Sequence, residues 1–159
     1  MTDAFAAADE PQQLLHFFEE DIEFAPEEPA ILRRWLTETA AHEDFTLDEV
    51  SYIFCSDAHL LGINLQFLQH DDLTDIITFP YHEGGTVISG DVFISVERIR
   101  ENAERFGVPF LSELHRVMVH GLLHLVGYVD STPEDKAFMR QKEDFYLARL
   151  NAPAEELDA

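Results

Sequence analysis

Two histidines stand four residues apart and an aspartate follows six positions later, in the stretch His120-Gly-Leu-Leu-His124-Leu-Val-Gly-Tyr-Val-Asp130. On a helix, residues at i and i+4 share a face with Cβ atoms about 6 Å apart, close enough for two imidazoles to grip one metal ion. The Gly127-Tyr128 step can end that helix and turn the chain back, so that Asp130 supplies a third ligand. Three protein ligands leave a fourth tetrahedral position for water, the arrangement of a catalytic rather than a structural zinc site. Two imidazoles and a carboxylate suit Zn2+, one per chain, and are also compatible with nickel or manganese. A cation so held polarises an oxygen of the scissile group and lowers the pKa of its bound water, so the chemistry expected is metal-assisted hydrolysis. The competing reading is a pair of hydrogen-bonded core histidines, with Asp130 helping to start the helix that Thr132 caps.

The helix that must carry the pair runs from about Leu111 to Tyr128. At 100° per residue, Leu111, Leu114, Met118, Leu122 and Leu125 fall on one side, with Glu113, His120 and His124 roughly opposite. Val119, Leu123 and Val126 occupy a third side. A helix apolar around most of its circumference is buried, so the histidines form a polar seam that needs partners, and a metal satisfies both rings at once. One zinc peptidase pattern, His-Glu-x-x-His, places a general-base glutamate directly after the first histidine. Here that position is Gly121, which argues against a peptidase of that type and leaves the general base unassigned. Glu113 is on the same seam but two turns away, about 10 Å along the axis, within reach of a supporting role only.

The remaining elements alternate along the chain. A short first strand falls within Phe17 to Phe24, a helix from Pro29 to His42 and a strand from Val50 to Cys55. A short helix capped by Ser56 or Asp57 then reaches about Leu65. Thr74 to Phe79 is a β-branched strand stopped by Pro80, Glu83-Gly84-Gly85 a turn, and Thr86 to Val96 a strand with a bend or bulge at Gly90. Glu97 to Phe106 is helical, Gly107 and Pro109 break the pattern, and a last helix opens at Thr132 with Pro133 in its first position. The predicted fold class is α+β: a small mixed sheet of about four strands packed with helices, the metal site at the C-terminal end of a buried helix. Residues 1–13 read as a loose arm, 14–150 as one domain and 151–159 as a tail.

The 159 residues favour a single core, and a hydrophobic content of 46% with 13 phenylalanines can fill it. Ten basic residues against 32 acidic ones give a net charge of -22, which keeps the chain soluble and repels nucleic acid and anionic membrane at long range. A polyanionic substrate must then be held by local cations or a metal. Cys55, the sole cysteine, lies in an apolar run and reads as a core residue. The N-terminus has no signal-peptide pattern and no run approaches a membrane span, so a cytoplasmic protein is expected.

The motifs together resemble a known family. His120-Gly-x-Leu-His124-Leu-x-Gly127-Tyr128 is similar to the signature of the YbeY endoribonucleases, the rRNA maturation factors. Upstream, Asn64-Leu-Gln-Phe67 and Leu73-Thr74-Asp75-Ile76-Ile77-Thr78-Phe79-Pro80 resemble that family's asparagine segment and its Thr-Asp-Val-Leu-Ser-Phe-Pro strand. Gly90-Asp91-Val92-Phe93-Ile94-Ser95 resembles its Gly-Asp-Ile strand. The likeness covers roughly residues 50 to 146. It implies an α+β domain with a zinc site and a cytoplasmic, single-strand-specific, metal-dependent endoribonuclease. The implied role is 16S rRNA 3′-end maturation and ribosome quality control. Its partners would be single-stranded rRNA and the small ribosomal subunit or its assembly factors, with neither DNA nor membrane. It also implies substrate contacts at Asn64, Thr74 and Asp75, residue types that otherwise serve turns and strand entries.

Two positions depart from the family pattern. Asp130 stands where most members carry a third histidine, which implies a His2Asp site whose metal is a weaker Lewis acid. Leu68 stands where many carry an arginine implicated in handling RNA phosphate; His59, His70, Arg98 or Arg116 could supply replacement charge. Two alternatives to the nuclease therefore stay open: a metal-dependent hydrolase of a peptide or amide bond, and a non-catalytic ribosome assembly factor with a structural metal.

Overall fold

The computed structural model describes residues 14–68 and 74–152; the expected 1–13 arm, most of the expected 151–159 tail, and His70 lie outside them. Among the described residues the strands and α-helices follow one another as β1 (Leu15–Glu19), α1 (Pro29–His42), β2 (Thr46–Cys55), α2 (Asp57–Ile63), β3 (Ile76–Pro80), β4 (Val87–Ser95), α3 (Val96–Phe106), α4 (Phe110–Val126) and α5 (Pro133–Asn151). The four strands form one sheet in the order β1-β2-β4-β3. β1, β2 and β4 are parallel, and β3 pairs antiparallel with β4 at the edge. The structure is thus the mixed four-stranded sheet with packed helices that the α+β reading expects.

Period-two alternation gives the sheet two different faces. Val50, Tyr52 and Phe54 of β2 with Val92 and Ile94 of β4 face the main core, where Trp35 and Leu36 of α1 and Leu114, Met118, Val119, Leu122 and Leu123 of α4 are packed. Two polar groups in this core find partners. The Tyr52 hydroxyl donates to the Met118 carbonyl at 2.8 Å, and the Trp35 indole N–H donates to the Tyr146 carbonyl at 2.8 Å. On the opposite face a smaller cluster of Cys55, Leu60 and Ile77 lies under α2. Burial pushes the Cys55 thiol up to about 12, with the carboxylates of Asp21, Glu20, Asp57 and Glu97 adding to the effect, so this cysteine is the inert core residue expected.

Several boundaries differ from the sequence pattern. β1 lies at Leu15–Glu19, earlier than the Phe17–Phe24 window centred it. Phe24 instead comes off an irregular segment, its backbone N–H bound by the Glu19 carboxylate at 2.8 Å and its ring on Phe54. β2 begins at Thr46 rather than Val50, and the irregularity expected at Gly90 is carried by β2. There Leu47 and Val50 pair with Ile88 and Gly90, leaving one extra residue on β2. Gly90 has a different duty: a Cβ there would meet the Phe79 carbonyl oxygen at 2.6 Å, so only glycine lets β3 close against β4. The short helix capped by the Ser56 hydroxyl ends at Ile63 and widens into a π-helical turn over Asn64–Leu68. Such turns change which side chains face inward, and they are frequent at functional sites.

Candidate metal centre

Helix α4 presents the two histidines from its last turns. Its C-terminus is closed by Gly127 at φ 127, a conformation that favours glycine, and the Gly127 and Tyr128 N–H groups return to carbonyls of the last turn. The reversal carries Asp130 back over the helix end. Thr132 then starts α5 with a capping box, its hydroxyl accepting from the Asp135 N–H while the Asp135 carboxylate accepts from the Thr132 N–H. Asp130 is thereby placed between two fixed helix ends.

The donor atoms of His120, His124 and Asp130 lie within 4.8 Å of one another. His120 Nε2 is 3.5 Å from one Asp130 carboxylate oxygen and His124 Nε2 is 3.6 Å from the other. The far nitrogen of each ring is engaged. His120 Nδ1 lies 2.6 Å from a Glu143 carboxylate oxygen, and His124 Nδ1 lies 2.9 Å from the Tyr128 carbonyl oxygen. A carbonyl only accepts, as does an ionised carboxylate, so both Nδ1 atoms carry the hydrogen and each neutral ring keeps its lone pair on Nε2. Two lone pairs and a carboxylate then converge on one point, a repulsive set unless a cation or an extra proton joins them. That donor chemistry fits a divalent metal.

The titration of the site has the same origin. For His120 burial disfavours the charge, but the Glu143 hydrogen bond and the charges of Glu143, Asp130 and Asp75 outweigh it and raise the ring above the ordinary histidine range. His124 is held below that range by burial and by His120. Asp75 is raised by burial, with His120 opposing.

The three residues open on a cleft of about 490 Å³ that Asn64, Leu68, Thr74, Asp75, Ile76, Ile77 and Thr78 also line. The structure therefore brings all six sequence-predicted residues, His120, His124, Asp130, Asn64, Thr74 and Asp75, to one cleft. Asn64 is buried, carried there by the π turn, and the Thr74 hydroxyl donates to the Ile76 carbonyl at 3.3 Å. The replacement cations are engaged elsewhere. Arg98 pairs with Asp57 and Glu101, Arg116 with Glu143 and Asp144, and His59 lies 3.4 Å from Glu20. No lysine or arginine is among the described residues lining the cleft. Glu113 is buried outside the lining, its carboxyl raised by burial and by Asp75.

Sequence reasoning missed Glu143. Its side chain is 6% exposed and bridges His120 to Arg116, whose guanidinium reaches it at 2.9 Å. One signal was available: Met139, Glu143 and Tyr146 are spaced by four and three and form the buried stripe of α5, so a carboxylate stood where an apolar residue belongs. Glu143→Gln retains an acceptor for Nδ1–H but removes the charge that makes the ring more basic. Metal affinity is expected to fall roughly 10- to 100-fold, measured by competition with a chelator, with the melting transition still cooperative.

Comparison with known proteins agrees with this architecture. Residues 15–151 match the family model described as endoribonuclease YbeY. The chain is 45% identical over 137 residues to an endoribonuclease YbeY from Cytophaga hutchinsonii, covering 86% of this chain and 96% of that protein. It is 47% identical over 127 residues to one from Flavobacterium psychrophilum, covering 80% and 90%. A solution structure of a Thermotoga maritima protein superposes with a TM-score of 0.61 at 26% identity, covering 86% of this chain and 88% of that one.

Proposed function

The chain belongs to the YbeY endoribonuclease family, and from that premise we propose that it cuts single-stranded RNA at the His120–His124–Asp130 cleft. As a family member it is a metal-dependent endoribonuclease involved in rRNA maturation. The finer reading is one Zn2+ per chain on His120, His124 and Asp130, with Asn64, Thr74 and Asp75 contacting the substrate. The step served would be 16S rRNA 3′-end maturation and ribosome quality control in the cytoplasm, with the small ribosomal subunit or its assembly factors as partners. Among the described residues no helix is long and apolar enough to cross a membrane.

One observation carries the reading: both imidazoles are locked by hydrogen bonds at Nδ1, so both Nε2 lone pairs face the Asp130 carboxylate inside an open cleft. A divalent cation bound there would supply Lewis-acid polarisation of a phosphoryl oxygen. The chain's own residues do the positioning. Glu143 holds His120 and is itself held by Arg116, and the Tyr128 carbonyl holds His124. The Tyr128 hydroxyl donates to Glu43 at 2.6 Å, and Lys142 and Tyr146 donate to the same carboxylate, which ties the loop before Asp130 to α1 and α5. With no lysine or arginine among the described lining residues, a cation on the three ligands would be the positive charge that holds the phosphate against the negative surface.

The test is cleavage of a single-stranded RNA by protein with one equivalent of zinc, with chelator and with zinc restored. Loss and recovery of cleavage are expected, with a duplex of the same sequence left whole. Metal-loaded protein that leaves RNA intact while cutting a peptide or amide substrate would overturn the reading.

A further inference from the structure

A second hollow, of about 250 Å³, adjoins the elements of the cleft and is lined by Ile63, Phe67, Phe79, Asp91 and Phe93. It shares those elements with the metal centre. The π turn sends Asn64 and Leu68 to the cleft and Phe67 to the hollow, and β3 sends Ile76 and Thr78 to the cleft and Phe79 to the hollow. Phe67 is 60% exposed although it lies beside the apolar side chains of Ile63, Phe79 and Phe93. Phe79 meets Phe67 with ring centroids 5.9 Å apart at 77°, and Phe93 at 5.9 Å and 86°, so none of the three is stacked face to face on another. Among the described lining residues the one charged side chain is Asp91, whose carboxylate accepts from the Tyr81 hydroxyl at 2.6 Å.

From this geometry we infer that the Phe67–Phe79–Phe93 hollow takes an unpaired nucleobase of the RNA strand whose phosphodiester lies at the His120–His124–Asp130 cleft. The inference rests on the nuclease reading and names how that site binds its strand. Aromatic rings bind single-stranded nucleic acid because every base has a stackable face, whatever its sequence. A phosphate is the wrong occupant: Asp91 repels it and no cation is among the described lining residues. On a chain of net charge -22, a base is also the part of RNA whose binding the surface potential opposes least. A strand with its bases paired has no free base to offer, so the hollow would select for single strands.

The experiment uses the full chain and a single-stranded RNA hexamer carrying one 2-aminopurine, with chelator present so that nothing is cut. Binding to the wild type should quench the fluorescence. Phe67→Ala should weaken binding roughly 5- to 150-fold, the range for one lost base–aromatic stack, while Phe67→Tyr keeps it. Phe67 is exposed, so both variants should keep the wild-type melting transition and zinc affinity. Equal affinity in Phe67→Ala, or no quenching by the wild type, would overturn the proposal. So would self-association of the wild type that Phe67→Ala abolishes with RNA binding unchanged, which would assign the hollow to a second copy of the chain. Failure of the nuclease reading looks different: the hexamer binds and is quenched, yet zinc-loaded wild type leaves it whole.

Discussion

Replacing His124 with alanine should reduce RNA cleavage to background and abolish stoichiometric zinc binding, while the protein remains folded. His124 Nε2 is one of three donor atoms, and the remaining two are His120 and an Asp130 whose side chain is 40% exposed. Loss of a partner that only orients a ligand costs about 10- to 100-fold in metal affinity, and loss of the ligand itself exceeds that. The structural cost is small by comparison. The side chain is 25% exposed and its Nδ1 is bound to the Tyr128 carbonyl, so the loss is about 1 kcal/mol. For a chain of this length that is a shift in melting temperature of roughly 2–4 °C. The helix end survives, because Gly127 closes it through backbone N–H groups. Metal analysis, calorimetric melting and the cleavage assay on one preparation separate these effects. A variant with wild-type zinc content, or one that still cuts RNA in a chelator-sensitive way, would remove His124 from the site.

That pair was legible in the sequence because helical periodicity alone brings i and i+4 together, and the glycine turn and Thr132 cap confine Asp130 to the helix end. Elements with local signals were equally legible. Pro29 to His42 is helical as read, and Ser56 and Thr132 are caps. What the pattern hid depends on packing between distant segments. Glu143 lies 23 residues beyond His120, and only the way α5 lies on α4 makes it that ring's partner. Arg98 and Arg116 looked available as phosphate-binding cations, yet tertiary contacts commit them to Asp57 and to Glu143 with Asp144. The π turn is invisible to a 3.6-residue period, although it decides that Asn64 reaches the cleft and Phe67 does not.

Gly121 shows the same limit most sharply, and substituting it should have the largest effect on stability. By spacing it occupies the position of a peptidase general base, so the sequence presents it as a missing functional group. In the fold it faces the sheet: a Cβ at this position would lie 2.8 Å from both the Ile76 and the Val92 side chains, and Val92 is fully buried. A residue after the first histidine is turned about 100° around the helix, and here that direction faces Ile76 of β3 and Val92 of β4. Gly121→Ala should therefore cost about 1–3 kcal/mol by overpacking, despite its better helix propensity. Gly121→Glu adds the burial of a carboxyl group among apolar side chains, and the total should exceed about 4 kcal/mol, a large share of the roughly 5–15 kcal/mol that holds a domain together. Urea unfolding of the two variants tests this, with a peptidase assay on whatever folded protein Gly121→Glu yields. A Gly121→Glu protein as stable as the wild type, or one that gains peptidase activity, would mean that this position opens on the cleft. Loss of the folded state means that α4 excludes a base at this place by packing, and that the chemistry of the site must come from the other groups around the two histidines.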